Sequence, residues 1–225
     1  MERRPCYVII PAGGSGSRMG GDVPKQMRDL CGRPVLRRTV ELFASLPFNV
    51  GVIIAVSPSM RELWKQYCRR ENFVFRHILV TGGLTRFHSV KNALDHVPDG
   101  ASVAVHDAVR PLVSVDMLLS LFDLGMRYPA VVPVVEVPDS VRRISGSSSV
   151  TVDRAGLVTV QTPQVFHSEI LKAAYCQPYD PAFTDDASVV ERYGVPLHFT
   201  PGERTNIKLT FPSDIEFASR LLQAL

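Results

Sequence analysis

Five short stretches of this 225-residue chain are apolar at nearly every position: 7–11, 50–56, 74–80, 103–106 and 130–135. Each is rich in Val and Ile. Strands with one wet face alternate polar and apolar, whereas strands covered on both faces do not, so these runs predict parallel strands buried between helices. Between them, 35–46, 59–70, 87–97 and 115–127 carry apolar residues at helical spacing. In the first, Leu36, Val40 and Phe43 form a stripe, with Arg37, Arg38 and Glu41 outside it. Ser59, with Glu62 following it, reads as a capping box that opens the second. Repeated strand–helix units predict an α/β fold with a doubly wound, mostly parallel sheet in three layers.

The pattern changes over 136–160. Two alternating segments there flank Ser145-Gly-Ser-Ser-Ser149, a hairpin signal. Its arms hold few large apolar residues, so this β-arm is expected to project from the core and to be steadied by another subunit. Helix and strand signals return from 161 onward, ending in 212–225, where Ile215, Ala218, Leu221 and Leu222 share one face. The length fits a single domain spanning 1–225, with the arm at 136–160 as a subdomain.

Composition mainly excludes. Apolar residues make up 45% and charged residues 21%, which is ordinary for a globular protein. A formal charge of +3 makes no case for a nucleic-acid partner. No run approaches the ~20 apolar residues of a membrane span, and Met1-Glu-Arg-Arg-Pro5 lacks a signal-peptide stretch, so a cytoplasmic location is expected. Cysteines at 6, 31, 68 and 176 form no C-x-x-C pair, which argues against a zinc site or a disulfide scaffold. Cys6 and Cys31 are expected to pack as small hydrophobes. The pairs Arg37-Arg38, Arg69-Arg70 and Arg142-Arg143 read as solvated helix or loop faces.

Candidate chemistry concentrates in 11–26, PAGGSGSRMGGDVPKQ, between the first strand and the first helix. Gly13, Gly14 and Gly16 let the backbone approach a ligand and aim N–H groups at negative charge, while Arg18 and Lys25 add two cations. Such a loop suits a polyphosphate and the stabilisation of charge in phosphoryl transfer. It is not a Walker A loop, which needs Gly-Lys-Ser/Thr, nor the dinucleotide fingerprint, whose third glycine is replaced by Met19.

Other polar clusters fall where strands should end, the side on which open α/β sheets bind ligands. Thr81-Gly82-Gly83 with Arg86 and Ser89 is either an ordinary turn or a close backbone approach with a hydroxyl for a base edge. Asp107 suits a magnesium ion held mostly by phosphates and water, and Arg110 either binds a phosphate or pairs with Asp107. His106 reads as an oriented or core histidine. Thr184-Asp185-Asp186-Ala-Ser188 looks like a helix N-terminus capped by Thr184. Lys208 lies on an alternating segment whose spacing alone does not show whether it points back toward the sheet's active edge, and Gln161-Thr162-Pro163-Gln164 is a rigid polar turn open to the same two readings.

Taken in order, PAGGSGSRMGGDVPKQ, GGLTRFHSV, HDAVRP, VPDSVRR, VDRAGL, QTPQVF, TDDASVVE and NIKLTFPSD closely resemble the 2-C-methyl-D-erythritol 4-phosphate cytidylyltransferase family, over about residues 7 to 219. The resemblance implies a Rossmann-like nucleotidyltransferase fold with a dimerising β-arm. It implies transfer of a cytidylyl group from CTP to methylerythritol phosphate, with Mg²⁺, in a homodimer. Ala12, Gly13 and Gly14 would lie against the nucleotide, and Arg18 and Lys25 would stabilise the transition state. Gly83 and Ser89 would recognise the cytosine. Asp107 and Ala108 would sit near the ribose, phosphates and metal. Lys208 would contact the acceptor and the reacting phosphorus. Arg110, Ser140 and Arg154 would grip the acceptor, Ser140 and Arg154 coming from the partner's arm, with Thr162 assisting.

Three positions depart from the family pattern. Leu84 replaces an acidic or small residue, which leaves base recognition there to the backbone. Val109 replaces alanine, and Ser140 replaces threonine but keeps its hydroxyl. The nearest rival is ribitol 5-phosphate cytidylyltransferase; a sugar-1-phosphate nucleotidyltransferase and a non-catalytic nucleotide sensor are more distant alternatives.

Overall fold

A computed structural model describes residues 4–14, 19–20 and 23–224. Strand β1 (Cys6–Pro11) lies at the centre of the sheet. It pairs in parallel with β4 (Val50–Val56) on one side and β6 (Ser102–Val105) on the other, with Val8 opposite Val52 and Ala104. Val8 and Ile10 face one apolar layer, and Ile9 faces the other. Both faces are dry, which is why the run reads as continuously apolar.

The first layer is covered by α1 (Val35–Ala44), α2 (Pro58–Arg70) and α4 (Val115–Arg127). The second is covered by α3 (Arg86–Leu94), α5 (Ser168–Ala174) and α6 (Asp186–Arg192). A short ribbon, β2 (Asp29–Leu30) and β3 (Arg33–Pro34), leads into α1. Strand β5 (Ile78–Thr81) pairs with β4 at one edge of the sheet. Beyond β6 come β11 (Gln164–His167), then β7 (Ala130–Glu136), then β12 (His198–Pro201). Within this sheet, among the described residues, the antiparallel strands are β11, against both β6 and β7, and the short β10 (Val158–Val160), against β7. The doubly wound, mostly parallel sheet is therefore as expected. Helix α7 (Pro212–Ala224) closes the chain, with Ile215, Ala218, Leu221 and Leu222 in a third apolar cluster.

Several local expectations are corrected. The expected strand at 74–80 begins only at Ile78. Upstream, Phe73 and His77 turn toward Trp64 of α2, leaving Val74 85% exposed. Helix α2 is capped by Ser57, not Ser59: Ser57 Oγ accepts from Met60 N at 3.3 Å, and Pro58 takes the first helical position, where its missing N–H costs nothing. Helix α6 is capped by Asp185, not Thr184, in a reciprocal box with Ser188. Cys6 is buried as expected, but Cys31 is exposed. It occupies the β2–β3 turn at φ 51, followed by Gly32 at φ 81, the paired left-handed geometry of a tight hairpin.

The arm is narrower than the 136–160 segment. Its hairpin is β8 (Val141–Ser145) and β9 (Ser148–Val152), a separate two-stranded sheet, whereas β10 joins the main sheet. Arg142 crosses this hairpin, donating to Ser149 Oγ at 2.9 Å and Thr151 Oγ1 at 3.0 Å, so that pair lies on a strand. Ile144 and Val150 are well exposed on it.

Candidate active site

The glycine loop leaves β1 at the carboxyl edge of the sheet, and Ala12 N donates to Ala55 O at 2.7 Å, tying its start to β4. The return of the loop is a 3₁₀ turn, Lys25–Met27. Gln26 on that turn is buried, and its Nε2 donates to Ala12 O at 3.0 Å and Gly14 O at 3.1 Å. One amide thus staples the backbone of the loop. Lys25 lines the cleft beside Gly13 and Gly14. Arg18 lies outside the described residues.

Opposite this loop, Gly82 N donates to Val56 O at 2.8 Å. Gly83 N donates to Ser89 Oγ at 3.0 Å, and that hydroxyl donates to Thr85 O at 3.0 Å. Ser89 therefore braces the turn, lines the cleft, and retains one acceptor lone pair. A Cβ on Gly83 would stand 2.3 Å from His88 Cβ, so glycine is required for the turn to pack on α3. Leu84 is 98% exposed at the rim.

The end of β6 supplies the charged centre. His106 is fully buried: its Nε2 donates to Arg110 O at 3.0 Å, and Thr162 Oγ1 donates to its Nδ1 at 3.1 Å. Thr162 Oγ1 in turn accepts from Asp107 N at 3.0 Å. Burial pushes the imidazole down to about 4, so it is neutral near pH 7 and orients its neighbours, as expected of a core histidine. Ala108 is buried beside it, its carbonyl accepting from Thr39 Oγ1 at 3.0 Å.

Asp107 meets three cations. Lys208 Nζ lies 2.9 Å from its Oδ2, Arg110 Nε 3.4 Å from the same oxygen, and Arg86 Nε 3.6 Å from its Oδ1. Burial alone would raise this carboxyl; Arg86, Lys208 and Arg110 outweigh it and hold the group well below the usual carboxylate range. Lys208 is delivered by the segment before α7, where Leu209 N donates to Val109 O at 2.8 Å. Arg110 Nη1 donates to Asn206 O at 2.7 Å, and Asn206 Nδ2 to Thr162 O at 2.9 Å. Gln161 joins the same network through Glu203 O at 2.7 Å.

Two clefts meet here. The first, about 200 Å³, runs from the glycine loop past Gly83 and Ser89 to Asp107. The second, about 300 Å³, holds Arg110, Gln161, Thr162 and Asp185. Arg86, Asp107 and Lys208 line both. Nearly all the expected residues among those described therefore converge, from segments far apart in the chain. Ser140 and Arg154 do not: Ser140 is exposed at the root of the arm, and Arg154 donates to Pro138 O and lines a different cavity with Arg204.

Some contributors were not anticipated. Gln26 ends the recognised motif but carries no charge to mark it. Arg86 was visible as a helix-start residue, yet its partner Asp186 is 100 residues away. Asn206 and Gln161 are neutral amides bonded to each other and to backbone at 162 and 203, partners that no spacing in the sequence reveals. Among the described residues no three His, Cys, Asp or Glu side chains group to hold a metal, and Asp107 is the one carboxylate lining the first cleft.

The family model for 2-C-methyl-D-erythritol 4-phosphate cytidylyltransferase matches residues 6–224. A protein of that name from Bacteroides thetaiotaomicron is 46% identical over 215 residues, covering 96% of this chain and 98% of the relative. One from Symbiobacterium thermophilum is 42% identical, covering 97% and 93%. The crystal structure of 2-C-methyl-D-erythritol 4-phosphate cytidylyltransferase from Thermus thermophilus superposes with a TM-score of 0.77 at 28% identity, covering 97% of this chain and 99% of that one. With the family model spanning residues 6–224 and a relative 46% identical over nearly the whole length, this chain belongs to the 2-C-methyl-D-erythritol 4-phosphate cytidylyltransferase family.

Proposed function

We propose that this chain moves the cytidylyl group of CTP onto the phosphate of 2-C-methyl-D-erythritol 4-phosphate, releasing pyrophosphate, and that the two clefts hold the two substrates. The observation that carries the reading is their meeting point: Lys208, Asp107 and Arg86 face both spaces. CTP takes the glycine-lined cleft. Backbone at Ala12, Gly13 and Gly14 and the Lys25 ammonium meet its phosphates, joined by Arg18. Gly83 and Ser89 take the cytosine edge, Ser89 Oγ accepting from an exocyclic amino group; Ala108 lies along the ribose.

The acceptor takes the second cleft, against Arg110 and Thr162. Its phosphate is already an anion, so attack on the α-phosphorus needs no general base. A neutral, fully bonded His106 and the absence of a Ser–His or Cys–His pair from the described site fit that economy. What the chain supplies is alignment and charge: Lys25, Lys208 and Arg18 spread the negative charge that builds on the reacting phosphorus.

Asp107 is a single hard oxygen donor kept ionised by its neighbours, which fits a Mg²⁺ held otherwise by phosphates and water. Bound there, the ion would neutralise charge on the departing pyrophosphate. The arm supports assembly as a homodimer. Ser140 and Arg154, remote from Lys208 within one chain's clefts, would reach the acceptor site of the partner, with Ile144 and Val150 covered in the process.

The test is pyrophosphate release from CTP and Mg²⁺ with either methylerythritol phosphate or ribitol phosphate. The reading predicts turnover with the former; preference for ribitol phosphate would overturn the acceptor assignment, and silence with both would overturn the reaction.

A further inference from the structure

Arg86 stands at the first position of α3 between carboxylates from two other elements. Its Nη2 donates to Asp186 Oδ2 at 2.6 Å, and its Nε faces Asp107 Oδ1 at 3.6 Å. Asp186 has no exposed surface, and its other oxygen accepts from the Tyr175 hydroxyl at 2.6 Å. The start of α6 is clamped in turn: Asp185 Oδ2 accepts from Gln164 Nε2 at 2.7 Å, and Gln164 Oε1 accepts from Ala187 N at 2.9 Å. A buried carboxylate stripped of its cation is strongly destabilising, so Asp186 anchors the far end of the guanidinium. The near end is thereby aimed at Asp107. A planar fork spans two carboxylates in this way; a lysine ammonium is a single point of charge.

We propose that Arg86 is a positioning residue of the transfer reaction, acting through Asp107: it holds Oδ1 so that Oδ2 stays turned toward Lys208, with Asp186 and Tyr175 fixing Arg86 from behind. This rests on the cytidylyl-transfer reading. It gives the second acid of the Asp185-Asp186 pair a task beyond the helix start. Asp185 caps α6, whereas Asp186 reaches through Arg86 to the point where the clefts meet.

The experiment is a double-mutant cycle on the full chain, Arg86→Gln and Asp107→Asn singly and together, with single-turnover rates and KM for CTP. Thermal midpoints confirm that each variant is folded. Arg86→Gln should lower the transfer rate about 10- to 100-fold, and the double variant should fall no more than about twofold below Asp107→Asn alone, because residues that act as a unit are not additive. KM for CTP should move less than about threefold. Multiplying losses, or a rise in KM with an unchanged rate, would overturn the proposal by making Arg86 an independent or substrate-binding cation. Should Arg86→Gln not fold, Tyr175→Phe removes only the hydroxyl behind Asp186. It should lower the rate about 2- to 10-fold in the native background and not at all beside Asp107→Asn, consistent with the loss of one hydrogen bond to a charged group; the same loss in both backgrounds would overturn the proposal. A native chain that releases no pyrophosphate from CTP and acceptor would instead overturn the transfer reading itself.

Discussion

Replacing Gln26 with leucine isolates the contribution of loop order to nucleotide binding. The amide makes two hydrogen bonds, at 3.0 and 3.1 Å, to the carbonyls of Ala12 and Gly14, and touches no reacting group. Each is worth about 0.5–1.5 kcal/mol net, so Gln26→Leu forfeits roughly 1–3 kcal/mol. Gly13 and Gly14 bring no side chains to hold the loop, so losing the staple frees the loop locally and leaves the sheet intact. The cost then falls on CTP, whose binding must order the loop. At 1.4 kcal/mol per tenfold, Kd for CTP should weaken about 5- to 150-fold. Titration calorimetry with CTP and Mg²⁺ reads the change, beside a thermal melt. The rate at saturating CTP should fall much less. A Kd within twofold of the native value, in a variant that melts at the native temperature, would refute the idea that this amide organises the loop.

Three other expectations are independent of that one. Gly83→Ala places a Cβ 2.3 Å from His88 Cβ and 2.9 Å from its backbone carbon; the turn must shift, at about 1–3 kcal/mol of overpacking, and KM for CTP should rise about tenfold. An unchanged KM would remove the close approach from the account. His77 accepts from Trp64 Nε1 at 2.9 Å through Nε2, and burial lowers its pKa, so protonation sets two N–H groups against each other. The unfolded chain takes up that proton first, so stability contributed by neutral His77 is present above its ordinary pKa of about 6.5 and is lost as pH falls below it. Urea unfolding of His77→Gln should therefore show a shallower loss between pH 7 and pH 5 than the native chain; parallel curves would count against it. Finally, mixing inactive Arg154→Ala with inactive Lys25→Ala protein should restore activity through hybrid dimers, and no recovery after demonstrated subunit exchange would contradict a site shared across the arm.

What was legible in the sequence follows the range of the interactions. The β1, β4, β6 and β7 runs announce themselves because both faces are dry, and the α1 stripe because it meets one layer only. The 74–80 run was misread because its first half is not strand: Val74 is exposed and His77 turns to Trp64, a tertiary partner that apolar spacing does not reveal. Local rules also chose Ser59 over Ser57 as the cap of α2, where Pro58 in the first helical position was the better marker. At the site, glycines and cations of the 11–26 loop and Asp107 stood out by residue type and placement at strand ends, whereas Lys208 was marked by the family resemblance and not by spacing. Gln26, Asn206 and the Arg86–Asp186 pair did not, since a buried amide or a pair spanning 100 positions leaves no periodic or spacing signal.

In the proposed reaction the chain aligns two anions and spreads charge, with the acceptor phosphate attacking directly and no protein nucleophile intervening. The configuration at the α-phosphorus tests this most directly. CTP made chiral there by sulfur substitution is turned over with methylerythritol phosphate, and the product's configuration is read by phosphorus NMR. A single in-line displacement predicts inversion. Retention would require a covalent cytidylyl-enzyme and would contradict the account.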